Sequence, residues 1–332
     1  MSRPGPRNLI TDVDGVLVGH ASDPANRTGS TVLRPVDGAW LAAGDVRGGA
    51  PGTRETELLS PTCRVDRIDA ICLSGGSAFG LAAADGAMEW LAAHDRGLEI
   101  AGWRVPIVPS AIIFDLAGRS PSRRVDYRAL GHEASASAAA DFALGNAGAG
   151  YGARAGVLKG GIGSASLLDG PVQVGALAVV NCVGSVLIGG TDAFWAWPLE
   201  RDGEFGGRRP PADYVTPETE PMADSRVIAH TTVCCVATNV TMSKADAQRV
   251  AIMAQDGLAR AIRPVHTPFD GDTVFVVSTG AHAASGASAW TVAQLGAMAA
   301  DCLARAVARG VYAAADSGDI ASYRTIHGGD KP

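Results

Sequence analysis

Aromatic residues make up only 5% of this 332-residue chain and charged residues only 19%. Sparse charge and 47% hydrophobic content argue against a disordered chain and supply material for a buried core. The net charge is −6 with acids and bases interspersed, so the basic footprint that nucleic-acid binding needs is missing. No apolar run approaches the ~18 residues of a membrane span. The opening stretch MSRPGPRNLITDVDG also lacks the apolar region of a signal peptide, so a cytoplasmic location is expected. The long apolar segment VGALAVVNCVGSVLIGG is interrupted by glycines and reads as a buried strand pair. Cysteines at 63, 72, 182, 234, 235 and 302 have neither CxxC nor Cys/His metal spacing. Most lie in apolar runs, where a thiol behaves as a small hydrophobe, so no metal site is expected.

What the chain does have is glycine, 42 residues of it, together with abundant alanine, which suits close packing and tight turns. Residues 10–20 read as a strand or hairpin turning at Asp14-Gly15, and Gly48–Gly52 as a rigid turn cluster. A short strand at 70–73 runs into Ser74-Gly75-Gly76-Ser77, and a helix over 79–92 closes at Arg96-Gly97. A strand is expected at 105–114, an Ala-rich helix at 132–144, and strands around 171–190. The Gly/Ala-rich stretch 132–163 is expected to offer an apolar surface. Residues 201–230 carry four prolines and little periodicity, and read as an exposed linker. A strand follows at 231–238, then a helix capped by Ser243 and Asp246, a strand at 272–279 and an amphipathic helix at 288–308. Clustered strands and helices, without strict alternation, indicate an α+β architecture.

Several segments carry candidate chemistry. Asp12-Val13-Asp14-Gly15 imitates the opening of aspartate-nucleophile phosphatases, but only Leu9-Ile10 precede it, and the second acid expected after Gly271-Asp272 is Val276. A hairpin turn explains it better. The glycine clusters at 48–52 and 74–80 lack a Walker pattern, although the backbone N–H groups of Gly75, Gly76 and Ser77 are placed to line a pocket. The linker runs directly into Thr231-Thr232-Val233-Cys234-Cys235. A threonine opening a strand has a chemical use if the His230–Thr231 bond breaks. The hydroxyl is then the nucleophile and the freed α-amine, with a pKa of about 8, is its base. Asp270-Gly271-Asp272 either holds an ammonium or hydroxyl by charge-assisted bonds or is a turn with solvated acids. Asn181, inside an apolar strand, is either a core amide or a donor to a tetrahedral oxyanion. Lys159, in Lys-Gly-Gly-Ile-Gly, is either a surface lysine or an ammonium beside flexible backbone.

Together the blocks ITDVDGVLVGH, DVRGGAPGTRE, LSGGSAFGL, VPIVPSAIIFDL, KGGIGSAS, GALAVVN, HTTVCCVATN and HTPFDGDTVF resemble, in family order, the self-processing N-terminal-nucleophile hydrolases. That family includes the D-aminopeptidase/β-aminopeptidases and the aminohexanoate-oligomer (nylon oligomer) hydrolases. The resemblance implies one αββα four-layer sandwich over 1–332, cut once into an α chain (1–230) and a β chain (231–332) that stay together. It implies Thr231 as nucleophile, Asn181 as oxyanion donor, Asp270 and Asp272 as orienting groups, and Lys159 as the family lysine. Phe114 stands where some members have a catalytic tyrosine, and Asn239, closing the HTTVCCVATN block, is a candidate pocket residue. His230 replaces the more familiar Asn or Gly before the cut. The implied activity is hydrolysis of short peptides or oligoamides, without metal or organic cofactor, in a tetramer of αβ units. A small-molecule binding protein on the same fold and the aspartate phosphatase are the alternatives.

Overall fold

The computed structural model describes residues 2–120, 122, 124–216, 230–282 and 288–328. Its main strands are β1 (Val16–Asp23), β2 (Thr28–Pro35), β3 (Trp40–Val46), β4 (Ile71–Ser74), β5 (Ser110–Ile112), β6 (Gly161–Asp169), β7 (Val172–Asn181), β8 (Thr231–Val240) and β9 (Thr273–His282). One sheet runs β1-β2-β4-β5 and ends on Thr53–Arg54; the other runs β6-β7-β8-β9-β3 and ends on Arg67–Ile68. The main helices are α1 (Ala83–Ala93), α2 (Tyr127–Ala136), α3 (Lys244–Ala261) and α4 (Ala289–Ala313).

Every residue of β8 is buried, so both faces of this strand must meet protein. Side chains alternate between faces along a strand, and β8 divides them between two cores. Cys234, Val236 and Val240 join Val250, Leu258, Leu295 and Leu303 of α3 and α4. Val233, Cys235 and Ala237 join Val18, Leu33, Ile71 and Leu73 of the other sheet. A third core packs Val32 and Cys72 against Ala84, Leu91 and Ala134 of α1 and α2. Three apolar interfaces between four layers make an αββα sandwich, with helices outside and two sheets face to face.

Local chemistry sets the helix starts. Ser243 accepts from the Asp246 N–H while Asp246 accepts from the Ser243 N–H, closing the expected capping box on α3. Ser288 caps α4 by accepting from the Thr291 N–H at 3.1 Å. Asp126 caps α2 in the same way, so this helix begins before the expected 132–144 and ends at Ala136; Ala139 instead bridges to Val18 of β1. Within the strand expected at 105–114 only Ser110–Ile112 joins the main sheet, while Trp103–Val105 forms an exposed hairpin with Leu98–Ile100.

Two further expectations need correction. From Gly145 onward the Gly/Ala-rich stretch is largely interior, with Gly148, Ala149, Gly150, Ala153 and Ala155 buried, whereas Ala136, Ala139 and Ala143 are exposed. Gly163 lets α4 lie directly on the sheet, since a Cβ there would meet the Ala306 carbonyl oxygen at 2.0 Å. The first part of the expected linker is also anchored. Phe205 is buried against Phe194, and Glu204 accepts from Arg305 Nε at 2.6 Å. Residues 217–229 of that linker lie outside the described residues. Among the described residues no helix is long and apolar enough to cross a membrane.

Candidate active site

Register brings the first two candidates together. Asn181 closes β7 and Thr231 opens β8, and the antiparallel pairing sets them directly opposite each other. Directly opposed Cβ atoms lie about 4.5–5.5 Å apart. Both share the parity of Leu177, Val179, Val233 and Cys235, which face the space between the sheets. Thr231 and Asn181 are almost wholly buried.

The third strand supplies the acids. β9 runs parallel to β8, and the segment just before it bridges His230 to Asp270. His230 donates its N–H to the Phe269 carbonyl at 3.0 Å, and the His230 carbonyl accepts from the Gly271 N–H at 3.0 Å. The Thr231 hydroxyl donates to that same His230 carbonyl oxygen. The candidate nucleophile therefore lies against the bond that the sequence suggests it breaks. Gly271 is needed at its position because a Cβ there would stand 2.8 Å from Thr231 Oγ1 and 2.7 Å from the Ala50 oxygen.

The two carboxylates brace the residues around Thr231. Asp272 Oδ1 accepts from the Thr232 N–H at 2.8 Å, and its Oδ2 lies 2.8 Å from His266 Nδ1. Asp270 Oδ2 accepts from the Thr267 hydroxyl at 2.6 Å and N–H at 2.9 Å, and its Oδ1 accepts from the Val183 N–H at 3.3 Å. Burial raises the Asp270 pKa, and the nearby Asp272 charge raises it further. The Gly48–Gly52 cluster backs this loop: Ala50 donates to the Asp270 carbonyl at 2.8 Å and Arg47 to the Asp272 carbonyl at 2.9 Å. Its amides thus hold the acidic loop in place.

Asn181 is held at both ends of its amide. Its Oδ1 accepts from the Arg154 N–H at 2.9 Å, and its Nδ2 donates to the Phe114 carbonyl at 3.3 Å. The donor on the His230 carbonyl is therefore Gly271, and Phe114 enters through its backbone, which needs no phenolic hydroxyl. Lys159 is fully buried, not a surface lysine, and donates to the carbonyls of Gly150 at 3.1 Å and Gly160 at 2.7 Å. Burial lowers its pKa to about 7, while Asp115 pulls it back up.

A cavity of ≈ 380 Å³ opens onto this cluster, walled by Phe114, Arg154, Asn181, His230, Arg27 and Ile320 among others. Gly75, Gly76 and Ser77 stand behind it. The Gly76 N–H donates to Asp115 Oδ1 at 2.8 Å, and Gly75 and Ser77 donate to the carbonyls of Gly29 and Ile113. Asn239 lies eight residues along β8, about 26 Å from Thr231 at ~3.3 Å per residue. There it braces the β6–β7 turn, accepting from the Gln173 N–H and donating to the Pro171 carbonyl. A second hollow of ≈ 600 Å³, between Phe79, Leu116, Arg124 and Tyr127, shares no lining residue with the Thr231 cluster.

Asp12 is buried and accepts from the Leu9 N–H at 3.1 Å and the Ser166 hydroxyl at 2.7 Å, whereas Asp14 is exposed and accepts from Gln173 at 2.9 Å. They tie down the N-terminal segment and lend no support to phosphate chemistry. Sequence reasoning had missed Arg154, Thr267, His266 and the Gly271 N–H. Thr267 and His266 were within reach, since both lie in the HTPFDGD block, but the Arg154 contact to Asn181 depends on tertiary structure.

Comparison with known proteins identifies the family and the fold. The profile of peptidase family S58 matches residues 8–322. A protein of Mycobacterium tuberculosis (strain ATCC 25618 / H37Rv) named an uncharacterized aminopeptidase is 46% identical, covering 97% of this chain and 98% of the relative. The 6-aminohexanoate-oligomer endohydrolase of Paenarthrobacter ureafaciens is 33% identical over 83% of this chain and 76% of its own. The L-aminopeptidase D-Ala-esterase/amidase of Ochrobactrum anthropi, described as a variant of the Ntn hydrolase fold, superposes with a TM-score of 0.68 at 19% identity. That superposition covers 96% of this chain and 90% of the other.

Proposed function

The chain belongs to peptidase family S58 and is a peptide or amide hydrolase, and we propose that its nucleophile is Thr231, made N-terminal by self-cleavage after His230. The observation that carries this reading is the Thr231 hydroxyl lying against the His230 carbonyl while the Gly271 N–H polarises the same oxygen. In the precursor the hydroxyl adds to the His230 carbonyl carbon. Collapse of the tetrahedral adduct breaks the C–N bond, moves the acyl group from nitrogen to oxygen and leaves the proton on the new amine. Water then hydrolyses the ester and frees residues 1–230 from residues 231–332.

In the mature enzyme the α-amine, with a pKa of about 8 in model compounds, takes the Thr231 proton as the hydroxyl attacks a substrate amide. It returns that proton to the leaving amine, and water releases the acyl group from Thr231. Departure of His230 lets the Asn181 amide turn from Phe114 toward the oxyanion. Asp270 and Asp272 hold the loop that faces the new ammonium. Lys159 sits behind this wall with a pKa near neutrality and adjusts the local charge.

The substrates we propose are short peptides or amino-acid oligoamides, with no metal or organic cofactor taking part. All six cysteines are free thiols, which supports work in the reducing cytoplasm. Assembly as a tetramer of αβ units is part of the same proposal, and the exposed Ile100 and Trp103 on the hairpin support association. Elution as a single αβ unit on a sizing column would count against it. For the catalytic reading, a denaturing gel should show two chains from the unchanged protein and one from Thr231→Ala. Parallel assays on amino-acyl amides and an N-blocked oligoamide separate exo from endo action, since a strict aminopeptidase rejects the blocked compound.

A further inference from the structure

Among the described residues, the cavity beside His230 has one cation in its wall without a countercharge. Besides His230, its ionisable walls are Arg27, Asp115, Arg154 and Asp319. Asp115 is taken up by the Thr28 hydroxyl at 2.5 Å, the Gly76 N–H at 2.8 Å and Arg119 at 3.0 Å. Arg27 lies 3.9 Å from Asp319 and donates to the Gly118 carbonyl at 3.0 Å. The Arg154 guanidinium has no hydrogen bond and no ion pair among the described residues, and its Nε is buried without an acceptor. Buried guanidinium donors are normally satisfied, and a carboxylate is the anion that their planar fork fits.

Position decides which part of a substrate would bring that carboxylate. In the uncut chain His230 forms part of the wall of this cavity and supplies the carbonyl that Thr231 attacks. After cleavage the acyl part of an incoming amide takes the place of His230. Arg154 stands at that acyl side, because its own N–H holds Asn181 opposite Thr231. We infer that the mature enzyme selects amides whose acyl group carries a free carboxylate, such as dicarboxylic monoamides or amides of acidic amino acids, and that Arg154 is the residue that reads it. This inference rests on the Thr231 reading above.

The test uses the self-cleaved protein and two matched pairs of p-nitroanilides: glutaryl against pentanoyl, and α-glutamyl against norvalyl, the second pair carrying a free amine. Within each pair only the carboxylate differs. One charge-assisted contact predicts a kcat/KM ratio of roughly 10–100 in favour of the acidic member in at least one pair. Arg154→Gln should bring that ratio to about one, and Arg154→Lys should restore part of it. A ratio near or below one in the unchanged protein, or a ratio that survives Arg154→Gln, overturns the inference. If no anilide is turned over, glutarate should still raise the melting temperature of the cut protein and fail to do so with Arg154→Gln; absence of that shift also overturns it. A chain that is cut and hydrolyses only the neutral members defeats this inference alone. A chain that is never cut yet active defeats the Thr231 reading.

Discussion

A single methyl group at position 271 tests the packing around the nucleophile. In Gly271→Ala the new Cβ would lie 2.7 Å from the Ala50 oxygen, 2.8 Å from Thr231 Oγ1 and 3.1 Å from Pro51 Cα, where ordinary contact begins at 3.4 Å. Ala50 is fixed, because its N–H donates to the Asp270 carbonyl at 2.8 Å. The Thr231 hydroxyl is the softer neighbour and must yield by about 0.6 Å, which disturbs its contact with the His230 carbonyl. Overpacking of this kind costs about 1–3 kcal/mol, which a domain stable by about 5–15 kcal/mol survives. The backbone N–H of residue 271 is retained, so polarisation of the scissile carbonyl is not what is lost. A displacement approaching 1 Å costs about 10²-fold in rate, so self-cleavage should slow roughly 10–10²-fold. The assay is conversion of fresh precursor into two chains on a denaturing gel, with urea unfolding compared in the uncleavable Thr231→Ala background. Conversion at the unchanged rate, with an unchanged urea midpoint, would refute the reasoning.

Three other outcomes are expected. Asn181→Ala should lower kcat of the mature enzyme by roughly 10²–10³ through loss of an oxyanion donor, and should cost about 1–3 kcal/mol because the Arg154 N–H loses its acceptor; steady-state kinetics and urea unfolding measure the two effects separately. Glu204→Ala removes the partner of Arg305 and Arg309 in the buried cluster, so urea unfolding should register a loss of about 3–5 kcal/mol. Lys159 titrates near 7 when folded and near its ordinary 10.5 when unfolded, so the unfolded chain holds the extra proton between those values. Stability should therefore rise as pH is raised from about 7 toward 10.5 and be lost again as it falls to 7, a slope that Lys159→Met should flatten in pH-dependent urea unfolding.

Much of the second sheet was legible in the chain because β7, β8 and β9 are apolar on both faces and bounded by turn residues. The capping box at Ser243 and Asp246 made α3 equally plain. Strands β2 and β3 escaped notice because Thr28–Pro35 and Trp40–Val46 mix small, polar and apolar residues; β2 closes a hairpin on β1, whereas β3 pairs with β9, which is distant in sequence. The stretch 132–163 reads as an apolar surface by composition, yet glycines in its second half are what allow α4 and β2 to approach. At the site, the ordered motif blocks bring Thr231, Asn181, Asp270 and Asp272 into one cluster. Spacing along the chain could not show that Asn181 lies opposite Thr231, since that follows from the β7–β8 register. Asn239, in the same motif block as Thr231, lies eight residues along the strand, and that spacing alone sets it at the far end.

The most direct test of the account is N-terminal sequencing of the smaller chain from an active preparation, paired with its intact mass. The account predicts a sequence opening Thr231-Thr232-Val233 and a mass equal to residues 231–332, with Thr231→Ala remaining a single 33.8 kDa chain. A fully active enzyme that is still one intact chain, or a new terminus at Thr232, would contradict it.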